Sequence, residues 1–273
     1  MRSPAPRSQT AWTALSPGEQ AAAAARDPVV ILPLGATEQH GPHLPLSTDC
    51  DIGEGILEAA LAALEPSLPV FRLPMRKVGV SPEHADYPGT LTVSPGAMEA
   101  EIVASGAALR QDGIHRLVVF NSHGGNRAVV DMAALRLRAE HGMLVVKAHW
   151  FRFPRPPEPE LRDEEWIHGL HGGAVETAMM LHLQPARVKL DAVDRFPSLG
   201  EELAARLSLV GPEGVAPFAW MARDLNPRGV TGDATRATPE MGRRLVTHYA
   251  AVLAEILRDA ARFPLERLAP RGA

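Results

Sequence analysis

Apolar, largely β-branched residues gather in four short blocks, and the stretches between them carry helical periodicity. The first block, Val29-Val30-Ile31-Leu32-Pro33-Leu34-Gly35, is an unbroken apolar run closed by glycine, the pattern of a strand covered on both faces of its sheet. Residues 69–73, 116–121 and 143–148 read in the same way. Between them, Ile52, Ile56, Leu57, Ala60, Leu61 and Leu64 make a helical stripe with Thr48 or Asp49 as its cap. Ser94-Pro95 opens a helix through Ile102, Val103 and Leu109 that stops at Gly113, and Asn126 caps another through Val130, Ala134 and Leu137 to Gly142. A last long helix starts at Thr238-Pro239-Glu240 and keeps Leu245, Tyr249, Val252, Leu253, Ile256 and Ala260 on one face. Strand and helix alternating at this spacing predict an α/β fold, with a mainly parallel open sheet, right-handed crossovers and helices on both faces.

Polar chemistry collects at the predicted strand ends. Pro42 and Pro45 deny a helix to residues 36–49, so the segment holding Glu38, His40, His43 and Asp49 is predicted to be a loop. In extended chain, positions i and i+2 project to the same side, so Glu38 and His40 reach one site; Asp49, with two oxygens, can bridge two cations. Asn121-Ser122-His123-Gly124-Gly125-Asn126 lies where a strand meets a helix, the end of a parallel sheet at which a crevice opens. Its glycines allow close backbone approach, and the free N–H groups of the helix start favour an anion or a developing oxyanion. His171-Gly172-Gly173-Ala174-Val175-Glu176-Thr177 repeats the order of histidine, glycines and carboxylate. The candidate metal ligands are therefore Glu38, His40, Asp49, His123 and Glu176, a mixture of carboxylate and imidazole that suits Zn, Mn or Fe(II) above Ca or Mg. Without a thiolate cluster, a closed structural zinc site is not expected.

Other polar residues carry less. His43, His115, His141, His182 and His248 are expected at the solvated surface. Cys50 reads as a small buried hydrophobe at a helix start. Ser122 lacks the Gly-x-Ser-x-Gly elbow of a serine hydrolase, since its context is Phe120-Asn121-Ser122-His123-Gly124. Trp150, Trp166 and Trp220 line a pocket or fill the core. Residues 153–159, Phe-Pro-Arg-Pro-Pro-Glu-Pro, are expected to run over the surface into the acidic stretch 163–165.

Composition narrows the class. The 273 residues read as one domain over 1–264 with a loose tail, 265–273. A net charge of -4 without any long Lys or Arg run gives no electrostatic reason to expect nucleic acid. One cysteine rules out an intrachain disulfide framework, residues 1–9 are followed by no apolar run, and the alanines of 21–25 are too few to span a bilayer. No signal peptide and no membrane segment are expected, which makes the cytoplasm the default location.

The run Leu34-Gly35-Ala36-Thr37-Glu38-Gln39-His40-Gly41-Pro42-His43-Leu44-Pro45 through Asp49 resembles the signature of the creatininase-like family. Gly79-Val80-Ser81-Pro82-Glu83-His84 with Pro88-Gly89-Thr90, then the two histidine-glycine motifs, then Gly232-Asp233, follow in the family's order. The resemblance implies a three-layer α/β/α fold and two divalent ions per subunit, Zn first and Mn or Fe next. It places Glu38, Asp49 and His123 on one ion and His40, Asp49 and Glu176 on the other. It also implies a homo-oligomer, a hexamer in the family's manner. The expected reaction is hydrolysis of a C–N amide bond, cyclic or linear, in a small molecule, with cleavage of a ring ketone or lactone and a non-catalytic metal-binding subunit as alternatives. The leaving nitrogen needs a proton from His171, His84 or Glu83, and His171 is favoured because it precedes a ligand on the same loop. Ser81, Gly124, Gly125 and Trp150 are candidate substrate contacts. Creatininase proper carries a carboxylate where this chain has Gly125, so creatinine is not the expected substrate.

Overall fold

The computed structural model describes residues 11–157 and 161–268. The four apolar blocks form one sheet: β1 (Val29–Leu34), β2 (Val70–Arg72), β3 (Arg116–Asn121) and β4 (Leu144–His149), ordered β2-β1-β3-β4 and parallel throughout. β1 and β3 are central, and every residue in them is buried, which is why their sequences run apolar without alternation. Leu34 sits beside Asn121, and Asn121 beside His149, so the C-terminal ends of three strands lie in register.

The helices are α1 (Pro17–Ala24), α2 (Thr48–Ala62), α3 (Pro95–Gln111), α4 (Arg127–His141), α5 (Asp163–His168), α6 (Ala174–Leu183), α7 (Leu199–Ala204), α8 (Ala222–Leu225) and α9 (Pro239–Arg262). Successive strand residues face opposite layers. Val29, Ile31, Val118 and Phe120 share a core with α2, α6 and α9, whereas Val30, Leu32, Leu117 and Val119 pack with residues of α3 and α4. This is the three-layer α/β/α arrangement. Short strands complete the chain: β5 (Arg195–Phe196) pairs with β8 (Gly232–Asp233), and β6 (Val210–Gly211) with β7 (Ala216–Pro217).

Several caps act as their residue types predict. Ser94 Oγ accepts from Ala97 N–H at 3.2 Å, Thr238 Oγ1 accepts from Met241 N–H at 3.1 Å, and Gly142 ends α4 with a φ of 68°. At the sheet end opposite the histidine-bearing loops, the buried Arg116 guanidinium meets Asp27 and the carbonyls of Ala260 and Phe263 at 2.8 to 3.0 Å. A charge at that depth is tolerable because its donors have acceptors.

The structure corrects some sequence expectations. α2 starts at Thr48 behind Ser47, so Asp49 stands on a helical first turn rather than in the loop. Asn126 does not cap α4 through its side chain; a 3₁₀ turn, Gly124–Asn126, precedes the helix. The Asn126 side chain instead accepts from Val80 N–H and donates to Gly35 O, satisfying two buried peptide groups. The expected loose tail begins with a 3₁₀ turn, Leu265–Leu268, whose last carbonyl accepts from Arg138, while 269–273 lie outside the described residues. Of the proline-rich excursion, 153–157 form no regular element and 158–160 lie outside the described residues, as do residues 1–9 at the start. No described helix is long and apolar enough to cross a membrane.

Candidate metal centre

The loop after β1, the first turn of α2, the turn after β3 and the first turn of α6 bring Glu38, His40, Asp49, His123 and Glu176 together. Glu38, His40, Asp49 and His123 are each less than 5% exposed, so four ionisable groups share a nearly dry site, with the partly buried Glu176 at its edge. Asp49 is at its middle. Its Oδ1 lies 3.5 Å from His40 Nε2 and its Oδ2 lies 3.2 Å from His123 Nδ1. Glu38 Oε1 is 3.2 Å from His123 Nδ1, and Glu176 Oε2 is 3.9 Å from His40 Nε2. Glu38, Asp49 and His123 form one set whose ligand atoms all lie within 4.8 Å of one another; His40, Asp49 and Glu176 form a second, and Glu38, His40 and His171 a third.

The hydrogen-bond network assigns the imidazole protons. His40 Nδ1–H donates to Glu38 O at 3.1 Å, His123 Nε2–H to Val80 O at 2.9 Å and His171 Nε2–H to Gln39 O at 2.7 Å. Each ring turns its other nitrogen toward the carboxylates, the orientation that backbone carbonyls impose on metal-binding histidines. His84 is reversed. Its Nδ1 accepts from Gln39 Nε2 at 2.8 Å, so its proton is on Nε2, directed at Glu38 Oε1 3.5 Å away.

These residues fit divalent cations. Glu38 Oε2, His40 Nε2 and Asp49 Oδ2 are buried without a hydrogen-bond partner, and such orphans are rare unless an ion satisfies them. Burial alone would depress His40 and His123, but the carboxylates outweigh it: Asp49, with Glu176 and Glu38, raises His40 to about 9, and Glu38 and Asp49 raise His123 well above the usual imidazole value. Burial likewise opposes ionisation of Asp49, yet its contacts with His123 and His40 hold it low. Burial pushes Glu176 up to about 7, with His40 opposing and Asp49 adding to the rise. A surplus of negative charge that draws protons onto imidazoles draws cations to the same point.

The remaining candidates are distributed around this core. His171 stacks between His40 and His84, with ring centroids 4.1 and 4.2 Å away. Ser81 is buried, with Oγ 3.1 Å from His123 Nε2, so it backs the imidazole. Glu83 Oε1 lies 3.8 Å from the same nitrogen. Gly124 is exposed. A Cβ on Gly125 would fall 2.1 Å from Val80 O, 2.5 Å from His123 Nε2 and 2.7 Å from Glu83 Oε1, so a side chain there would displace the carbonyl that orients His123. Trp150 belongs to the core, 5% exposed and packed on Tyr249. Trp166 lies under the Arg155 guanidinium, and Trp220 Nε1 donates to Pro212 O. Cys50 is buried, and burial with the charges of Asp49 and Asp51 pushes its thiol up to about 12, so no thiolate forms near neutrality.

Two participants escape sequence reasoning. His43, expected at the surface, is fully buried; its Nε2 donates to Thr177 Oγ1 at 2.9 Å and its ring stacks on Phe196. Gln39 donates to His84 Nδ1 and to Gly229 O, and accepts from Gly41 N–H. Their partners Thr177 and Gly229 are 134 and 190 residues away, so no local pattern marks either.

Comparison with known proteins identifies the family. The family profile for creatininase, described as creatinine amidohydrolase, matches residues 14–257. The chain is 33% identical over 245 residues to the mycofactocin precursor peptide peptidase of Mycobacterium tuberculosis (strain ATCC 25618 / H37Rv), covering 86% of each. It is 30% identical over 192 residues to the creatinine amidohydrolase of Pseudomonas putida, covering 65% of this chain and 73% of that one. A solved creatininase variant of the Zn-Zn type superposes with a TM-score of 0.71 at 26% identity, over 92% of this chain and 96% of the other. The chain belongs to the creatininase family, metal-dependent amidohydrolases that cleave C–N bonds.

Proposed function

We propose that this chain hydrolyses an amide C–N bond with the help of two divalent cations, which Asp49 would share. Glu38, Asp49 and His123 would hold one ion, and His40, Asp49 and Glu176 the other. The observation that carries the reading is the division of Asp49, one oxygen facing His40 and the other His123. Zinc is the first candidate and manganese or iron the next, given the carboxylate and imidazole donors. Ions bound there supply Lewis-acid polarisation of the carbonyl and a water acidic enough to attack near neutral pH.

The protein's own groups handle the proton. His171 is the assigned shuttle: its Nε2–H is fixed on Gln39 O, and its Nδ1 faces the carboxylates. That nitrogen takes the proton of the attacking water and delivers it to the leaving nitrogen. His84 and Glu83 stand one step back, His84 donating toward Glu38 and Glu83 sitting behind His123. Their placement suits orienting ligands more than meeting substrate.

Gly125 stands where creatininase carries a carboxylate, which speaks against creatinine as substrate, and the 33% identity to a peptidase favours a linear amide, short peptides first. Metal analysis with a turnover screen over short peptides, formamides, lactams and cyclic ketones tests this. Two metal equivalents and chelator-sensitive amide hydrolysis are expected. Metal with no turnover would leave a binding protein, and ketone cleavage without amide cleavage would replace the reaction.

A further inference from the structure

Outside the ligand set, one largely buried carboxylate is held by two separate segments of chain. Glu165, on α5, accepts from Ala174 N–H through Oε1 and from Asp233 N–H through Oε2, both at 2.7 Å. Ala174 is the first residue of α6, and Glu176 is the third. Asp233 ends β8, and Thr231 just before that strand bridges His171, donating its N–H to the His171 carbonyl at 2.8 Å. A single side chain thus ties the start of the helix bearing Glu176 to the segment that runs beside the His171 turn.

Glycines make the room. A Cβ on Gly169, Gly173 or Gly232 would lie 2.5 to 2.6 Å from Glu165 Oε1, closer than packed atoms come. The Gly232-Asp233 pair thereby gains a physical reason: the glycine admits the carboxylate and the aspartate supplies an N–H. Negative charge at the first turn of α6 also complements the helix dipole. Within the same turn, Gly172 N–H donates to Glu176 Oε2 at 2.6 Å, so any shift of the turn carries the ligand with it.

We infer that Glu165 is a positioning residue for the half of the metal centre formed by His40, Asp49 and Glu176, acting by fixing the first turn of α6 against residues 231–233. The inference rests on the two-ion reading above. Glu165 itself touches backbone and no ion.

The test is a Co²⁺ titration of the metal-stripped full chain, followed by its visible absorption, which reads binding without turnover. Two variants perturb the contact from its two sides. Glu165→Gln replaces one acceptor with an NH₂ group facing an N–H. Ala174→Pro removes a donor at the first helical position, where proline is favoured, after the extended backbone of Gly173. In each, one of the two Co²⁺ ions is expected to bind about 10-fold or more weakly, the scale of outer-shell losses, while the other keeps its affinity. Unchanged affinity for both ions, or equal weakening of both, overturns the inference whatever happens to Tm, because a purely structural role changes stability without selecting one ion. Should Glu165→Gln not fold, Ala174→Pro alone decides. A wild-type chain that takes up only one equivalent overturns the two-ion reading, and this inference falls with it.

Discussion

Asn121 grips His123 by both ends of its peptide: Asn121 Nδ2 donates to His123 O at 2.7 Å, and Asn121 Oδ1 accepts from His123 N–H at 3.3 Å. The same amide donates to His149 Nδ1 and accepts from Asn126 Nδ2, so all its hydrogen-bonding capacity is used. Asn121 is the last residue of β3, and the direction of His123 is therefore set by the end of a fully buried strand.

Asn121→Ala should consequently cost more than a surface change. It strands the buried His123 N–H and takes one hydrogen bond each from the His123 carbonyl, which keeps the Asn126 N–H, and from the Asn126 side-chain amide. A buried group left unpaired costs about 1–3 kcal/mol and each other lost bond about 1 kcal/mol. The expected outcome is a fall in stability of roughly 2–4 kcal/mol by denaturant unfolding, with metal content reduced in the folded fraction. A variant with wild-type stability and full metal content would show that the strand end does not aim His123.

His43 gives a pH dependence whose sign follows from its burial. Burial lowers it from 6.5 to about 4, with the charges of His40 and Arg228 adding and a contact with the Gly172 backbone opposing. Below about 6.5 the unfolded chain takes a proton that the folded one refuses, so stability falls as pH drops from about 6.5 toward 4 and is flat in this term above that window. The full span is on the order of 3 kcal/mol. His43→Gln keeps a donor for Thr177 and loses the titration. Urea unfolding of both proteins in excess chelator should show a steeper acid slope for wild type, and parallel slopes would remove His43 as the cause.

Much of this was legible in sequence, for physical reasons that differ by element. β1 and β3 declare themselves because strands buried on both faces must be apolar at every position, and Ser94 and Thr238 mark helix starts through contacts three residues away. Glu38 and His40 are recognisable because extended spacing puts them on one side, Asp49 because it closes the same polar segment, His123 because parallel strands end at a common crevice, and Glu176 because its turn repeats the order of histidine, glycines and carboxylate. What escaped depends on distant partners or short elements. His43 and Gln39 are fixed by residues far along the chain, and Glu165, on a six-residue helix, reads in sequence only as part of an acidic stretch. Pro42 and Pro45 forbid helix before Asp49 and so predict a loop that reaches it, but the helix starts three residues after Pro45.

Metal uptake should release protons. In the metal-free site the carboxylates keep His40 protonated up to about 9 and His123 protonated well above 6.5, so at neutral pH both rings must lose a proton to become ligands. Apparent metal affinity should therefore weaken as pH falls below about 9. Calorimetric enthalpies measured in buffers of different ionisation heat should reveal about two protons released for two ions. Uptake without proton release would mean that these imidazoles are not the ligands.

The most direct measurement is the metal content of wild type and of Asp49→Ala after dialysis against buffer free of metal. If Asp49 bridges two ions through its separate oxygens, wild type retains two equivalents of transition metal, and Asp49→Ala loses both together with amide turnover. An Asp49→Ala protein that still holds two ions would contradict the account.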